Sequence, residues 1–225
     1  SSMYEVDDSR LESDHYFVVG IPDVKACGAG LNLNDGATIT VTYTAHLNDK
    51  AFVNTTSGSS TENKNSVQLQ YSNNPKDSEA YWGFTPESEV RVYTYQLNNT
   101  KYRDDDTTGN ELAGAGFRLY SDKDCTEEQE IKLKKNTTDG TYSPYFGADA
   151  GDEMFSDEHG QFNVKGLDAG TYYLKETTPP AGYSACADKE IVISATHTEY
   201  NVSLSGNLSN KIINKKAGGI TLPST

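Results

Sequence analysis

Leu222-Pro223-Ser224-Thr225 closes the sequence, and Leu-Pro-x-Thr is a pattern at which a transpeptidase cuts after the Thr and passes its carbonyl to an amine. Lys215-Lys216 and Gly218-Gly219 precede it as a basic pair and a spacer. Other chemistry-bearing residue types are scattered. His15, His46, His159 and His197 lack metal-ligand spacing, and no Gly-rich phosphate loop or nucleophile elbow is present. Asp104-Asp105-Asp106 and Asp122-Lys123-Asp124 could recruit calcium but read better as solvated acidic turns. No metal or cofactor is expected. A glycan-processing enzyme would need a carboxylate pair in a cleft, and no motif supports one, so turnover of a substrate is not expected.

Composition narrows the partners. With 33 acidic and 19 basic residues the net charge is −14, which repels phosphate backbones and anionic lipid, so neither nucleic acid nor membrane is an expected partner. No apolar run is long enough to span a bilayer and no signal peptide opens the chain. The 225 residues suffice for one large or two medium domains. Thr, Ser, Asn, Tyr, Val and Gly alternate with little helical periodicity, which predicts an all-β chain.

Period-two patterning predicts strands over Tyr16–Val19, Ala37–Ala45, Ser66–Tyr71 and Glu89–Tyr95, divided by turn-rich stretches. A second series follows at Gly116–Tyr120, Gln161–Val164, Gly170–Glu176, Glu190–Ile193, Tyr200–Leu204 and Lys211–Asn214. Short strands at such spacing predict two tandem β-sandwiches, over 1–98 and 99–216, with a tail over 217–225. The stretch Asp122–Glu158 is expected to be an insertion with a short helix around Met154.

Gly170-Thr171-Tyr172-Tyr173-Leu174-Lys175-Glu176-Thr177-Thr178-Pro179-Pro180-Ala181-Gly182-Tyr183 resembles the E-box of Cna B-type domains, the immunoglobulin-like modules of Gram-positive pilins and surface adhesins. Lys101-Tyr102-Arg103-Asp104 is similar to the family's Lys-containing first strand, and Leu112-Ala113-Gly114-Ala115-Gly116-Phe117 to its second. The resemblance covers about residues 96 to 225. More softly, Ile39 to Pro75 resembles the second half of the preceding domain in pilus backbone subunits. Asn63 and Asn65 are that domain's candidate bond acceptors, and no Val-Tyr-Pro-Lys type sequence is present to take a neighbouring subunit.

The resemblance implies an intramolecular isopeptide bond between Lys101 and Asn214, with Glu176 as the catalytic acid. Physical chemistry agrees with it. Leu97 and Lys101 share one strand face, as do Ile212 and Asn214. Burying an ammonium is costly, so a buried amine is favoured in its neutral, nucleophilic form, while an acid at Glu176 can hydrogen-bond the amide and shuttle protons as ammonia leaves. Asn210 shares the face of Asn214 and could substitute for it.

The resemblance also implies a sorting signal at Leu222, Pro223, Ser224 and Thr225 read by sortase, which joins Thr225 to neighbouring pilin subunits or to peptidoglycan. The chain is thus expected to be a subunit of a covalently polymerised, extracellular, wall-anchored pilus. A stalk or ligand-binding part of a wall adhesin, with a host surface ligand, is the alternative. Cys125 and Cys186 flank the insertion and the E-box, and their pairing as a disulfide would stabilise by roughly 4 kcal/mol. Cys27 is then expected to remain single, as a buried small side chain.

Overall fold

The computed structural model describes residues 4–9, 17–21, 38–48, 50–59, 61–72, 82–198 and 201–218. They fall into two compact units, Ser1–Ala45 and His46–Thr225.

In the first unit β1 (Glu5–Asp7) pairs antiparallel with β2 (Val18–Gly20), Val6 opposite Val19. The strand predicted over Ala37–Ala45 is not formed by its described residues, and Ile39 and Val41 lie exposed. Alternation makes a strand only where a neighbour takes up the ladder hydrogen bonds.

The second unit opens with β3 (Gly58–Ser59), β4 (Asn63–Val67), β5 (Gln70–Ser72), β6 (Trp82–Phe84) and β7 (Ser88–Val92). β4 pairs with β7, and β5 with β6, both antiparallel. The run predicted over Ser66–Tyr71 is therefore two strands, parted where the Leu69 N–H turns to Thr85 Oγ1 at 3.1 Å. The run Glu89–Tyr95 is parted at Tyr93-Thr94, where the Thr94 carbonyl accepts the Asn54 N–H at 2.8 Å. Of the sandwich expected over 1–98, the described residues contain two-stranded ladders whose Val67, Trp82, Phe84 and Val90 remain exposed. Two strands alone cannot bury a face.

The packed core is built from ten further strands: β8 (Tyr95–Arg103), β9 (Gly116–Tyr120), β10 (Leu133–Lys135), β11 (Tyr142–Pro144), β12 (Met154–Phe155), β13 (Val164–Leu167), β14 (Gly170–Thr178), β15 (Lys189–His197), β16 (Asn201–Gly206) and β17 (Ser209–Asn214). One sheet runs β10-β11-β13-β8-β17 and the other β12-β9-β14-β15-β16-β3. Their inward faces, joined by Phe162 from the segment before β13, supply one hydrophobic cluster that includes Leu97, Phe117, Leu119, Val164, Leu174, Ile191 and Ile212. The fold is an all-β sandwich.

Three features differ from expectation. The boundary predicted at 98/99 lies inside β8, whose Tyr95 and Leu97 already belong to the core. The segment Asp122–Glu158 is more than an insertion, since β10 and β11 extend one sheet and β12 edges the other. Around Met154 there is a strand in place of the expected helix. Met154 lies opposite Phe117 on β9 and is fully buried, so ladder pairing and burial on one face override any helical tendency.

Candidate functional site

β8 alternates strictly. Leu97, Asn99 and Lys101 face inward while Gln96, Asn98 and Thr100 are only half-buried. β17 turns Asn210, Ile212 and Asn214 inward in the same way, and β14 turns Tyr172, Leu174 and Glu176. β17 lies parallel to β8 with Ile212 level with Lys101 and Asn214 level with Arg103. The long Lys101 side chain thus has to reach only one inward position along its neighbour to meet Asn214. β14 belongs to the facing sheet and brings Glu176 to the same point from across the core.

The three side chains form a closed set. Lys101 Nζ donates to Asn214 Oδ1. Asn214 Nδ2 donates to Glu176 Oε1 at 2.7 Å, and the same Oε1 lies 3.5 Å from Lys101 Nζ. The backbone N–H of Cys186 donates to Glu176 Oε2 at 2.7 Å, so both carboxyl oxygens are held. The side chains of Lys101 and Glu176 are 0% exposed. Phe117 roofs the amine, its ring centroid 5.3 Å from Nζ, and stacks on Phe162 with centroids 4.3 Å apart.

Burial pushes the Lys101 pKa below its ordinary value of 10.5, against the opposing pull of Cys186 and Glu176. Burial also pushes the Cys186 thiol up to about 11, which keeps it protonated and neutral at neutral pH. An amine favoured toward neutrality, an amide beside it and a carboxyl on the amide nitrogen have the components of an amide exchange that expels ammonia.

Gly160 sets the backbone height of Lys101. Its carbonyl accepts the Lys101 N–H at 2.8 Å, its φ is +71°, and a Cβ there would stand 2.4 Å from the Lys101 carbonyl oxygen. Gly160→Ala is expected to cost about 1–3 kcal/mol through strain and displacement of β8, read as a lower urea midpoint at unchanged m-value.

The remaining sequence candidates are placed elsewhere. Cys125 and Cys186 are not bridged in this structure, so the expected disulfide is not seen in it. Cys125 sits in a turn at φ +50° with its thiol 3.8 Å from Asp188 Oδ2, whereas Cys186 belongs to the wall of the buried set. Asn63, in β4, is engaged with backbone: its Nδ2 donates to the carbonyls of Phe52 and Val92, and its Oδ1 accepts the Phe52 N–H. Asn65 lies exposed in the same strand, level with Val90. Asn210 is buried beside Asn99 rather than beside Lys101. Leu222, Pro223, Ser224, Thr225 and Cys27 lie outside the described residues. Asp105 accepts from Thr107 and Asn110, and Asp106 pairs with Lys211 at 2.8 Å. Among the described residues no three His, Cys, Asp or Glu side chains gather as a metal site, and no helix is long and apolar enough to cross a membrane.

Sequence reasoning missed Phe117, Asn99 and the Cys186 amide as parts of the site. Asn99 was accessible from alternation, because it stands between Leu97 and Lys101 on one face. The other two depend on which segments the fold brings across the core.

Residues 97–207 match the family model described as SpaA, prealbumin-like fold domain. No curated protein sequence matches the chain. Among solved structures, the chain is similar to the minor pilin GBS52 of Streptococcus agalactiae, with 22% identity, 61% of this chain and 57% of that one covered, and a TM-score of 0.41. It is similar to the shaft pilin SpaA of Lactobacillus rhamnosus GG at 22% identity, covering 62% and 59%, TM-score 0.42. For the group B streptococcus pilus 2b backbone protein the values are 26%, 66%, 48% and 0.39. In each case the chain spans less than two thirds of the other protein.

Proposed function

We propose that this chain, whose residues 97–207 belong to the SpaA prealbumin-like domain family, is a structural subunit of a Gram-positive surface pilus stiffened by an isopeptide bond between Lys101 and Asn214. The observation that carries it is the closed Lys101–Asn214–Glu176 set, buried where β8 and β17 face β14 across the core.

The chemistry follows from the contacts. Neutral Lys101 Nζ adds to Cγ of Asn214, and the carbonyl electron pair moves to Oδ1. The tetrahedral centre then carries both nitrogens. Glu176 Oε1, between Nζ and Nδ2, takes the proton released by Nζ and delivers it to Nδ2. The Cγ–Nδ2 bond breaks, ammonia leaves, and an Nζ–Cγ amide remains. Glu176 ends as it began. The event occurs once per chain, so the chain is its own substrate and no enzyme in the sense of turnover.

The bond would enclose residues 101 to 214 and join β8 to β17, so tension entering one strand passes directly to the other. By chain entropy a loop of that size stabilises by about 5 kcal/mol. Polymerisation rests on the Leu222-Pro223-Ser224-Thr225 pattern, with sortase passing the Thr225 carbonyl to an amine of the next subunit.

The direct test is the intact mass of the reduced chain with peptide mapping. Loss of one ammonia, mapped to Lys101 and Asn214, is the expected result. A full calculated mass would overturn the covalent assignment. Incubation with sortase and an amine-bearing subunit, on a chain extended by the Gly that completes the signal, should give a covalent conjugate of the two. Unchanged monomer would count against the polymer role.

A further inference from the structure

One inward position before Lys101 and two before Asn214, the same two strands meet through a second buried pair that the reaction does not use. Asn99 and Asn210 are 1% and 3% exposed and level with one another. Asn210 Nδ2 donates to Asn99 Oδ1 at 3.1 Å and to the Asn207 carbonyl at 2.8 Å. Asn99 Nδ2 donates to the Phe162 carbonyl at 3.2 Å, and the Asn99 N–H donates to Asn163 Oδ1 at 2.9 Å. Asn210 Oδ1 is left without a donor. Two amides in an apolar layer, one of them incompletely satisfied, are a poor way to gain stability, since a well-packed apolar pair would serve at least as well.

Their value is in register. β17 presents Asn210, Ile212 and Asn214 at two-residue spacing, so sliding it along β8 by two or four residues keeps every side chain on its face. A two-residue slide places Ile212 or Leu208 against Asn99. A four-residue slide places Asn210 where Asn214 belongs, and the wrong amide meets Lys101. Each slide strands the Asn99 amide in the core, and a buried unpaired polar group is costly.

We propose that the Asn99–Asn210 pair is a positioning device that fixes the parallel register of β17 on β8 and so selects Asn214 as the only acceptor for Lys101. The inference rests on the isopeptide reading for its consequence, and on the strand pairing alone for its mechanism. Asn210 is disqualified as acceptor by the same contacts, because its Nδ2 hydrogens go to Asn99 and Asn207, and Glu176 lies on the amide of Asn214 instead.

The test uses the double variant Asn99→Leu/Asn210→Leu, which removes both amides and leaves neither stranded. The unbonded chain is recovered in denaturant and refolded, and loss of ammonia is followed by mass. About tenfold slower bonding than in the parent, with a fraction of chains still unbonded at the end, is the expected result. A folded double variant that bonds Lys101 to Asn214 at the parent rate overturns the proposal. Should the double variant fail to fold, Asn99→Asp, which keeps an acceptor for Asn210 Nδ2, is expected to bond to Asn214 alone, and mixed products from it overturn the proposal. Register is read separately by nuclear Overhauser contacts between β8 and β17 in a Lys101→Met background, where no bond can form. There the added double substitution is expected to yield more than one register, and a single native register overturns the proposal. That readout is independent of whether the parent chain loses ammonia, so failure of the covalent reading and failure of the register device are distinguishable.

Discussion

Glu176→Gln is expected to give a folded chain of full calculated mass that melts roughly 15–25 °C below the parent, the two changes arising from one missing bond. Gln fills the same volume and its oxygen can still accept from Asn214 Nδ2, as Glu176 Oε1 does at 2.7 Å. What it lacks is the ability to take a proton from Lys101 Nζ, 3.5 Å from that oxygen, and return it to the leaving nitrogen. The amine then stays an amine, and its burial becomes visible as a pH dependence. Burial depresses the Lys101 pKa below 10.5, and removing the Glu176 charge removes one of the influences that oppose the depression. The unfolded chain therefore binds more protons than the folded one between the folded pKa and 10.5, so stability of the variant rises with pH across that window and levels off above it. A parent chain bonded at Lys101 would have no such amine and would lack that slope. Urea midpoints over a pH series, with intact mass on the same samples, check both halves. A variant that still loses ammonia would remove Glu176 from the chemistry.

The family resemblance named Lys101, Asn214 and Glu176, and alternation explains why the first two lie inward. In β8 and β17 the inward residues follow a two-residue period that includes the apolar Leu97 and Ile212, so Lys101 and Asn214 are carried inward by their neighbours. β9, β14, β15 and β16 were legible for the same reason, each having a continuous alternating run. Elements whose existence depends on a partner were not. Residues 38–45 alternate as well as β8 does and form no strand, while β10, β11 and β12 have two or three residues each and little pattern of their own. They are strands because sheet edges receive them, which is a tertiary fact. The same limit applies to the cysteines. Their separation allowed a bridge, but the fold assigns Cys186 to the wall behind Glu176 and Cys125 to a turn beside Asp188. The buried asparagine layer was half legible: position 99 was on the right face, yet nothing in its own sequence neighbourhood names Asn210 as its partner.

Phe117→Ala is expected to slow bond formation at neutral pH by at least about tenfold and to destabilise the unbonded chain by about 3–5 kcal/mol. The second figure is the ordinary consequence of removing a fully buried ring that stacks on Phe162 at 4.3 Å. The first has a different origin. Phe117 covers Lys101 Nζ at 5.3 Å, and burial is the influence that lowers the Lys101 pKa. A cavity beside two carboxyl oxygens, an amide and an amine is polar enough to admit water, and a hydrated amine returns toward its ordinary value. Each unit of that return cuts the neutral fraction tenfold where the pH lies below the pKa. Bonding in the variant should consequently be slower than in the parent at neutral pH and recover as pH rises toward the ordinary value of the amine, so that its pH profile is displaced upward from the parent's. Phe117→Leu separates the two effects, since it leaves an apolar cover at a smaller cost in packing and is expected to fall between parent and Ala in both readouts. Refolding the unbonded chains at a series of pH values and following loss of ammonia by mass measures this directly. A rate that falls with stability but keeps the parent's pH profile would assign Phe117 to packing alone, and desolvation of Lys101 would then have to come from the rest of the core.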